Sequence, residues 1–553
     1  MCGIFGLFNF NNTKLTCDFI NNQAKKSSHR NSHSFNFNVD KNIFLAFYRP
    51  PINHKTDQPI QYNNKVIICN GEIYNYRRFY EIMGTKPTTN VDYECIIHLY
   101  EKYGIDYTVN VLDGVFAFIL IDYDIDKIFI VRDQFGERPL YYLSNNNNNN
   151  NNILGFSSEM KQLHIFTRDI PEFNYNGLNN LKINVFEPGN YIILNFNNNN
   201  WIITDKIKFA NFHLTRINPS NEDMEETNIL QNIHDIFFEA VYKRVITNDK
   251  PIACLLSGSL DSSIVAALVS TIYNKPISTY CIGLPDSEDL KYARMVAKHI
   301  GSNHTEVIVS EEDFFRFIPY VIENIESYDE TTIRSGVSNL LISKYIAESS
   351  DIKVIFTGDG SDELMGGHLY INSAPDALEF DNECRRLLKN IHFFDILRSE
   401  RCISSHGLEP RTPFLDRDFV TFYLSIPIQY RFSSNKQQEK YLFRKAFDKD
   451  YLPKEVLWRN KKTLCDETWA PKIDNLLSKQ TNVKYDIDKT YLHNSPETME
   501  QLYYRTLFEQ FYPGQEHLIP YLWKPKYYDV TLNSTPPTNL YLLDTIDESI
   551  DEK

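Results

Sequence analysis

At 553 residues, 42% of them hydrophobic, the chain exceeds what one core usually serves, and two domains are the expectation. Its net charge of −15 excludes a general affinity for nucleic-acid phosphate or anionic lipid, because there is no basic excess to release counterions. The nine cysteines, scattered without a CxxC pair, suit a reducing cytosol better than a disulfide framework or a zinc site, and no stretch nears the roughly 20 apolar residues of a membrane helix.

The chain begins MCGIFG, with amide and charged residues arriving by Asn9 to Lys14, which reads as mature protein and not as a secretory signal. If Met1 is removed, Cys2 carries a thiol and a free α-amine on one residue, a nucleophile beside a base. Strand-like runs follow: NIFLAFYR (42–49), KVIICNGEIYN (65–75), VFAFILIDYD (115–124), KIFIVRD (127–133), PLYYL (139–143) and ILGFSS (153–158). Helical patterns are fewer, over 91–103 and near 158–163. This ordering predicts antiparallel sheets with helices packed on them. The asparagine tracts 145–152 and 197–200 lie between apolar runs and read as solvated hairpin insertions.

From about Met224 the rhythm changes to helix and strand in alternation: helices over 226–246, 261–273, 290–300 and 336–349, strands over 251–256, 276–282, 305–309 and 353–357. That alternation predicts a doubly wound parallel sheet with helices on both faces, whose ligands lie beyond the carboxyl ends of the strands. The resulting fold class is mixed: a layered antiparallel-sheet domain over 2–205, and a parallel-sheet domain with added helices over 224–543. An acidic tail covers 544–553.

Two strand ends carry loops with chemical content. IACLL runs into SGSLDSS (257–263) and then a helix, leaving backbone N–H groups free at a positive dipole end, a cradle for phosphate or pyrophosphate. Ser257, Ser262 and Ser263 add hydroxyl donors, and Asp261 offers oxygen to Mg²⁺. No GKS or GKT follows, so this is not the Walker pattern. KVIFTG leads into GDGSDELMGG (358–367), which sets Asp359, Asp362 and Glu363 among glycines. Acids there would repel a nucleotide unless a metal intervenes, which favours a nucleotide with Mg²⁺.

SGSLDSS resembles the SGGxDS pyrophosphate loop of N-type ATP pyrophosphatases. Together with GLPDSEDL, ESYDETTIR, TGDGSDE, HGLEPRTPFLD, YYRTLFEQFYPG and YLWKPKYY, in that order, it resembles the glutamine-dependent asparagine synthetases along nearly the whole chain. MCGIFG and CNGEIYN are similar to the amidotransferase half of that family, with an N-terminal nucleophile. The resemblance implies a glutaminase domain coupled through an internal ammonia passage to an ATP-pyrophosphatase-type synthetase domain. ATP and L-aspartate would form β-aspartyl-AMP, and ammonia from L-glutamine would displace AMP. Two rivals share the motifs: an amidotransferase with another acceptor, β-lactam-forming or peptide-amidating, and a catalytically degenerate partner protein.

By the same resemblance Cys2 attacks glutamine, and Asn70 with the Gly71 N–H forms the oxyanion hole. Arg49 clamps the α-carboxylate, Glu72 and Asp92 hold the α-ammonium, and Pro50, Pro51, Ile52 and Asn53 line the glutamine site. Leu255, Ser257, Gly258, Ser259, Asp261, Ser262, Ser263, Ile282, Thr357 and Gly358 contact ATP, with Asp261 and Asp362 as metal ligands. Lys461 steadies developing negative charge, and Asp359 is the acid of the second half. Thr331, Thr332, Arg334, Arg398, Arg401 and Arg411 supply the aspartate pocket, and a homodimer is implied. Ser259 stands where the family has a second glycine, a change that a negative φ accommodates, and Asp359 stands where it has glutamate.

Overall fold

The structure is a computed structural model that describes residues 3–30, 34–39, 42–48, 58–89, 91–145, 153–169, 181–211, 225–248, 250–432, 438–460 and 490–527. The chain divides into two compact units, Met1–Thr215 with Ser404–Glu409, and Arg216–Ile403 with Pro410–Lys553.

The first unit carries two six-stranded sheets. One contains β1 (Gly3–Phe8), β2 (Ser34–Val39) and β3 (Ile43–Tyr48), and the other β4 (Ile60–Tyr62), β5 (Lys65–Ile73), β6 (Gly114–Asp122) and β7 (Lys127–Arg132). β8 (Tyr141–Asn145), β9 (Leu154–Ser157) and β10 (Leu181–Val185) complete the first sheet in the order β10-β8-β9-β1-β3-β2. β11 (Asn190–Asn197) and β12 (Asn200–Lys208) complete the second as β12-β11-β7-β6-β5-β4. Neighbouring strands pair antiparallel in both sheets.

Burial explains the sequence runs. Ile4, Phe8, Leu45 and Phe47 of the first sheet share a core with Val66, Ile68, Ile119, Ile121 and Ile130 of the second. The opposite face of the second sheet, with Ile67, Cys69, Phe118, Leu120 and Val131, packs on Cys95, Ile96 and Leu99 of the helix Glu94–Val111. Because both faces are covered, VIIC and FAFILI are unbroken where a one-sided sheet would alternate. The helix expected over 91–103 begins at Glu94 and continues to Val111 through a non-helical Gly104. The second asparagine tract is a hairpin: Asn197 pairs with Asn200, and Asn198 and Asn199 take positive φ of 48° and 62°. Asparagine tolerates that conformation better than most residues. Most of the first tract, 146–152, lies outside the described residues, and the strands flanking it, β8 and β9, pair antiparallel.

The second unit holds a five-stranded sheet in the order β15-β14-β13-β16-β17. Its strands are β13 (Ile252–Leu255), β14 (Ser278–Gly283), β15 (Asn303–Ile308), β16 (Val354–Phe356) and β17 (Glu409–Arg411). β13 pairs in parallel with β14 and β16, and β14 with β15. The connecting helices Leu260–Tyr273 and Glu288–Ile300 begin within two residues of the sequence expectation. The helix expected over 336–349 instead starts at Glu330, capped by Asp329, whose side chain accepts from the Thr332 N–H. The polar TTIR segment therefore forms the first turns of that helix and not a loop.

Candidate active sites

In the first unit the expected oxyanion-hole residues sit near the end of β5. Asn70 and Gly71 pair with Ala117 and Phe116 of β6. A Cβ on Gly71 would come within 2.4 Å of the Val115 carbonyl oxygen, so only glycine fits there. Asn70 is fully buried, and neither its amide oxygen nor its amide nitrogen has a hydrogen-bond partner among the described residues. Leaving such a group unpaired costs about 1–3 kcal/mol, which a ligand that hydrogen-bonds it would recover. Three residues after Asn70, the Ile73 N–H donates to Asp92 Oδ2 at 2.5 Å, bringing the NGE segment and Asp92 together.

Asp92 is carried by a turn that the sequence reading did not explain. Glu94, fully buried, accepts from the Thr88 N–H, the Thr88 hydroxyl and the Thr89 N–H, each at 2.6 Å, from the Thr89 hydroxyl, and bonds His98 Nε2 at 3.1 Å. Burial raises its pKa, but the His98, Thr88 and Thr89 hydrogen bonds outweigh that and hold it at about 2.

β1 is fixed close to its start. The Ile4 N–H donates to Ser158 Oγ at 3.0 Å, and the Ser158 N–H returns a bond to the Ile4 carbonyl at 2.9 Å. Next to Ser158, buried Glu159 receives Ser27 at 3.0 Å, His29 at 3.2 Å, Lys161 at 3.2 Å and the Arg30 guanidinium. The β1–β3 register ends at Gly3 opposite Tyr48, the chain neighbours of Cys2 and Arg49. Cys2, Arg49, Pro50, Pro51, Ile52 and Asn53 themselves lie outside the described residues.

In the second unit, β13 ends at Leu255 and the chain turns through Ser257, Gly258 and Ser259 into the helix Leu260–Tyr273. Gly258 has φ +75°, and Ser259 has φ −72° and ψ 162°, ordinary extended backbone that any residue adopts. The hydroxyls of Ser257, Ser259 and Ser262 form a triangle at 3.0 to 3.1 Å, and Ser262 Oγ also accepts from the Ser257 N–H at 3.2 Å. The second loop lies against this one: a Cβ on Gly358 would meet the Ser262 nitrogen at 2.9 Å. The Thr357 N–H donates to the Arg411 carbonyl at 3.0 Å.

Lys440, a residue the sequence reading missed, ties the two loops together. Its buried ammonium contacts Asp261 at 2.6 Å, Asp362 at 2.5 Å and Ser361 Oγ at 2.9 Å. Burial pulls its pKa down, and the two carboxylates more than reverse this, so the cation is held. Asp359, in the same loop, accepts from Ser399 Oγ at 2.7 Å and Arg398 at 3.2 Å, while Arg398 also binds Asp395 at 2.9 Å. Beside them, burial first and Asp395 second push Glu363 up to about 7, against a 3.0 Å hydrogen bond from His368.

Family models match in both units: Asparagine synthase over residues 232–379 and 372–533, and Glutamine amidotransferase domain over 1–199. The chain is 37% identical over 563 residues to asparagine synthetase [glutamine-hydrolyzing] of Gallus gallus, covering 96% of this chain and 97% of that protein. It is 36% identical over 570 residues to the protein of the same name from Homo sapiens, at 97% and 98% coverage. The chain belongs to the asparagine synthase family. Among solved structures, glutamine phosphoribosylpyrophosphate amidotransferase from B. subtilis aligns at TM-score 0.29 and 15% identity, covering 65% of this chain and 81% of that one.

Within this family member the expected aspartate-pocket residues separate into groups. Arg398 reaches the Asp359 carboxylate, and Arg411 meets Thr357 through its backbone. Arg334 is instead engaged by Glu500 at 2.9 and 2.5 Å and by Glu330 at 2.6 Å, fastening its helix to the helix Met499–Phe511. Fully buried Arg401 binds Glu326 at 2.9 Å, and Thr332 caps against Asp329 at 2.6 Å. Thr331 is exposed. Those internal partners supply a packing reason for Arg334, Arg401 and Thr332 that needs no substrate. Lys461 lies outside the described residues.

The donor set suits magnesium that arrives with a nucleotide. No cluster of three or more potential ligands occurs among the described residues. Asp261 and Asp362 stand on either side of one ammonium, and Asp261 Oδ1 is buried without a hydrogen-bond partner among the described residues. One or two carboxylates completed by substrate phosphates and water is the usual Mg²⁺ arrangement, in contrast to an all-protein cage.

Proposed function

We propose that the chain is a glutamine-hydrolysing asparagine synthase, converting ATP, L-aspartate, L-glutamine and water to L-asparagine, L-glutamate, AMP and diphosphate. The observation that carries this reading is identity of 36 to 37% with such synthetases over at least 96% of the chain. No observation favours a different acceptor or a catalytically silent partner. The scattered cysteines support a cytosolic setting. Among the described residues no helix is long and apolar enough to cross a membrane.

In the first unit Cys2 is proposed to attack the glutamine amide, with its α-amine taking the thiol proton. The buried Asn70 amide, without a hydrogen-bond partner among the described residues, supports an oxyanion role, because a desolvated donor there would bind the charge that develops on the carbonyl oxygen. Glu72 and Asp92 would hold the substrate ammonium and Arg49 its carboxylate.

In the second unit the N–H groups and hydroxyls of 257–263 would receive the nucleotide phosphates, with Leu255, Ile282, Thr357 and Gly358 beside them. Lys440 would remain near the pyrophosphate as Asp261 and Asp362 turn toward Mg²⁺. Bound Mg²⁺ would neutralise phosphate charge and make pyrophosphate a better leaving group. The aspartate β-carboxylate would attack the α-phosphorus, expelling diphosphate. Ammonia would then add to the acyl carbon, and AMP would leave as the carbonyl reforms. Asp359, held by Arg398 and Ser399, would take the proton that the added nitrogen sheds. The test is product analysis of the purified protein with ATP, Mg²⁺, aspartate and either glutamine or ammonia. Asparagine, AMP and diphosphate in equal amounts are expected, and ADP with phosphate, or no asparagine from either donor, would refute the assignment.

A further inference from the structure

Arg459 makes three kinds of contact with the surroundings of the phosphate loop: to a backbone carbonyl, to carboxylates and to an aromatic ring. Its Nη1 donates to the Gly258 carbonyl at 3.3 Å. Its Nη2 meets Asp289 at 3.1 Å and Glu288 at 3.6 Å, both in the first turn of the helix Glu288–Ile300. Its guanidinium carbon lies 3.9 Å from the centre of the Tyr292 ring on that same helix. The side chain is 11% exposed, so these contacts are largely shielded from water. The backbone beneath it is held as well: Gln438 Nε2 donates to the carbonyls of Trp458 at 3.0 Å and Arg459 at 2.8 Å.

Gly258 sits at φ +75°, where a Cβ would be 2.6 Å from both the Ala293 nitrogen and Tyr292 Cβ, so the turn presses directly on the helix that Arg459 grips. The Gly258 carbonyl and the Ser259 N–H belong to one planar trans peptide and point in opposite directions. Fixing the oxygen therefore aims the N–H, which faces Ser257 Oγ at 3.4 Å, on the side of the serine hydroxyls.

We propose that Arg459 is a positioning residue for the nucleotide step: by clamping the Gly258 carbonyl it sets the direction of the loop donors that receive the pyrophosphate. The inference rests on the function proposed above in taking 257–263 as that cradle. Three simultaneous contacts, two along the edges of a plane and one on its face, require a guanidinium; an ammonium that kept Asp289 would give up the stack and the carbonyl.

The test uses the full-length protein as wild type, Arg459→Lys, Arg459→Met and Arg459→Ala. ATP with Mg²⁺ is titrated by calorimetry, and AMP release is followed with ammonia as nitrogen donor. Both Arg459→Met and Arg459→Lys are expected to lower kcat/KM for ATP by about 10- to 100-fold, the scale of a small misplacement of binding groups. The KM for aspartate and the rate of glutamine hydrolysis are expected to stay unchanged, and millimolar guanidinium is expected to restore part of the ATP-dependent rate in Arg459→Ala. Wild-type kcat/KM in Arg459→Met would overturn the proposal. So would full activity in Arg459→Lys, which would show that the charge pairing alone suffices. Equal losses for ATP and aspartate, with a lowered melting temperature and no guanidinium rescue, would mark a structural ion pair and also overturn it. If the wild type binds ATP but makes no asparagine, the proposed function falls while the ATP titrations still decide the role of Arg459.

Discussion

The two units prepare their chemistry in opposite ways. At the end of β5 in the first unit, Asn70 and Gly71 are fixed by the sheet, and the Asn70 amide is without a partner among the described residues. At the ends of β13 and β16 in the second unit, the acids already have cations: Lys440 between Asp261 and Asp362, and Arg398 on Asp359. A neutral amide that becomes an oxyanion only in the transition state is best served by a donor held open for it. A polyanionic nucleotide meets buried carboxylates, and those are tolerable only if compensating charge is built in before the metal arrives. On the proposed function, the first site relies on an amide donor fixed by the sheet and the second on carboxylates whose charge is balanced by built-in cations.

Mutations can break this contrast. The largest effect is expected from Cys2→Ala, which removes asparagine formation from glutamine completely and leaves formation from added ammonia intact; equal loss with both donors would sink the two-site scheme. Next, Asn70→Ala should lower glutamine hydrolysis by about 10²–10³-fold, the usual result of deleting one oxyanion donor. Its measure is glutamate release, with ammonia-dependent synthesis as the control that stays constant. Lys440→Met leaves Asp261 and Asp362 facing each other without their cation, a change that costs about 3–5 kcal/mol when a buried pair is broken. Ammonia-dependent synthesis is then expected to fall by about 10²-fold, with glutaminase turnover preserved.

The smallest effect sharpens the comparison through pH. Glu94 ionises at about 2 in the folded unit against an ordinary 4.5, so its stabilisation is fully present above 4.5 and is lost as pH falls toward 2. Glu94→Gln is expected to flatten the acid dependence of melting over that window and to raise the KM for glutamine by loosening the turn that carries Asp92. An unchanged acid limb in calorimetry would show that Glu94 is not the group responsible.

Local signals made much of this legible. The apolar runs marked strands of antiparallel sheets with helices packed on them, and the switch to helix and strand in alternation located the parallel sheet and its two loops. Asn70 and Gly71 were marked by the resemblance of CNGEIYN to the amidotransferase half of the family, and the structure adds why glycine stands at 71, the close approach to Val115. The start of the helix at Glu330 was missed because Thr331 and Thr332 suit turns as well as helix caps. Partners distant in sequence were not legible. Lys440 lies 179 residues from Asp261, and Arg334 lies 166 from Glu500, so nothing local separates a loop-bridging lysine or a packed arginine from an ordinary surface charge or a substrate ligand. Ser259 was legible in part: a negative φ was the condition for a side chain there, and its φ is −72°.

The central claim, that both units serve one reaction, is tested most directly with glutamine labelled at its amide nitrogen, supplied with ATP, Mg²⁺ and aspartate. The account predicts labelled asparagine formed one for one with AMP, and no labelled asparagine from the Cys2→Ala protein. Label that accumulates only as free ammonia, with no AMP and no asparagine, would contradict it.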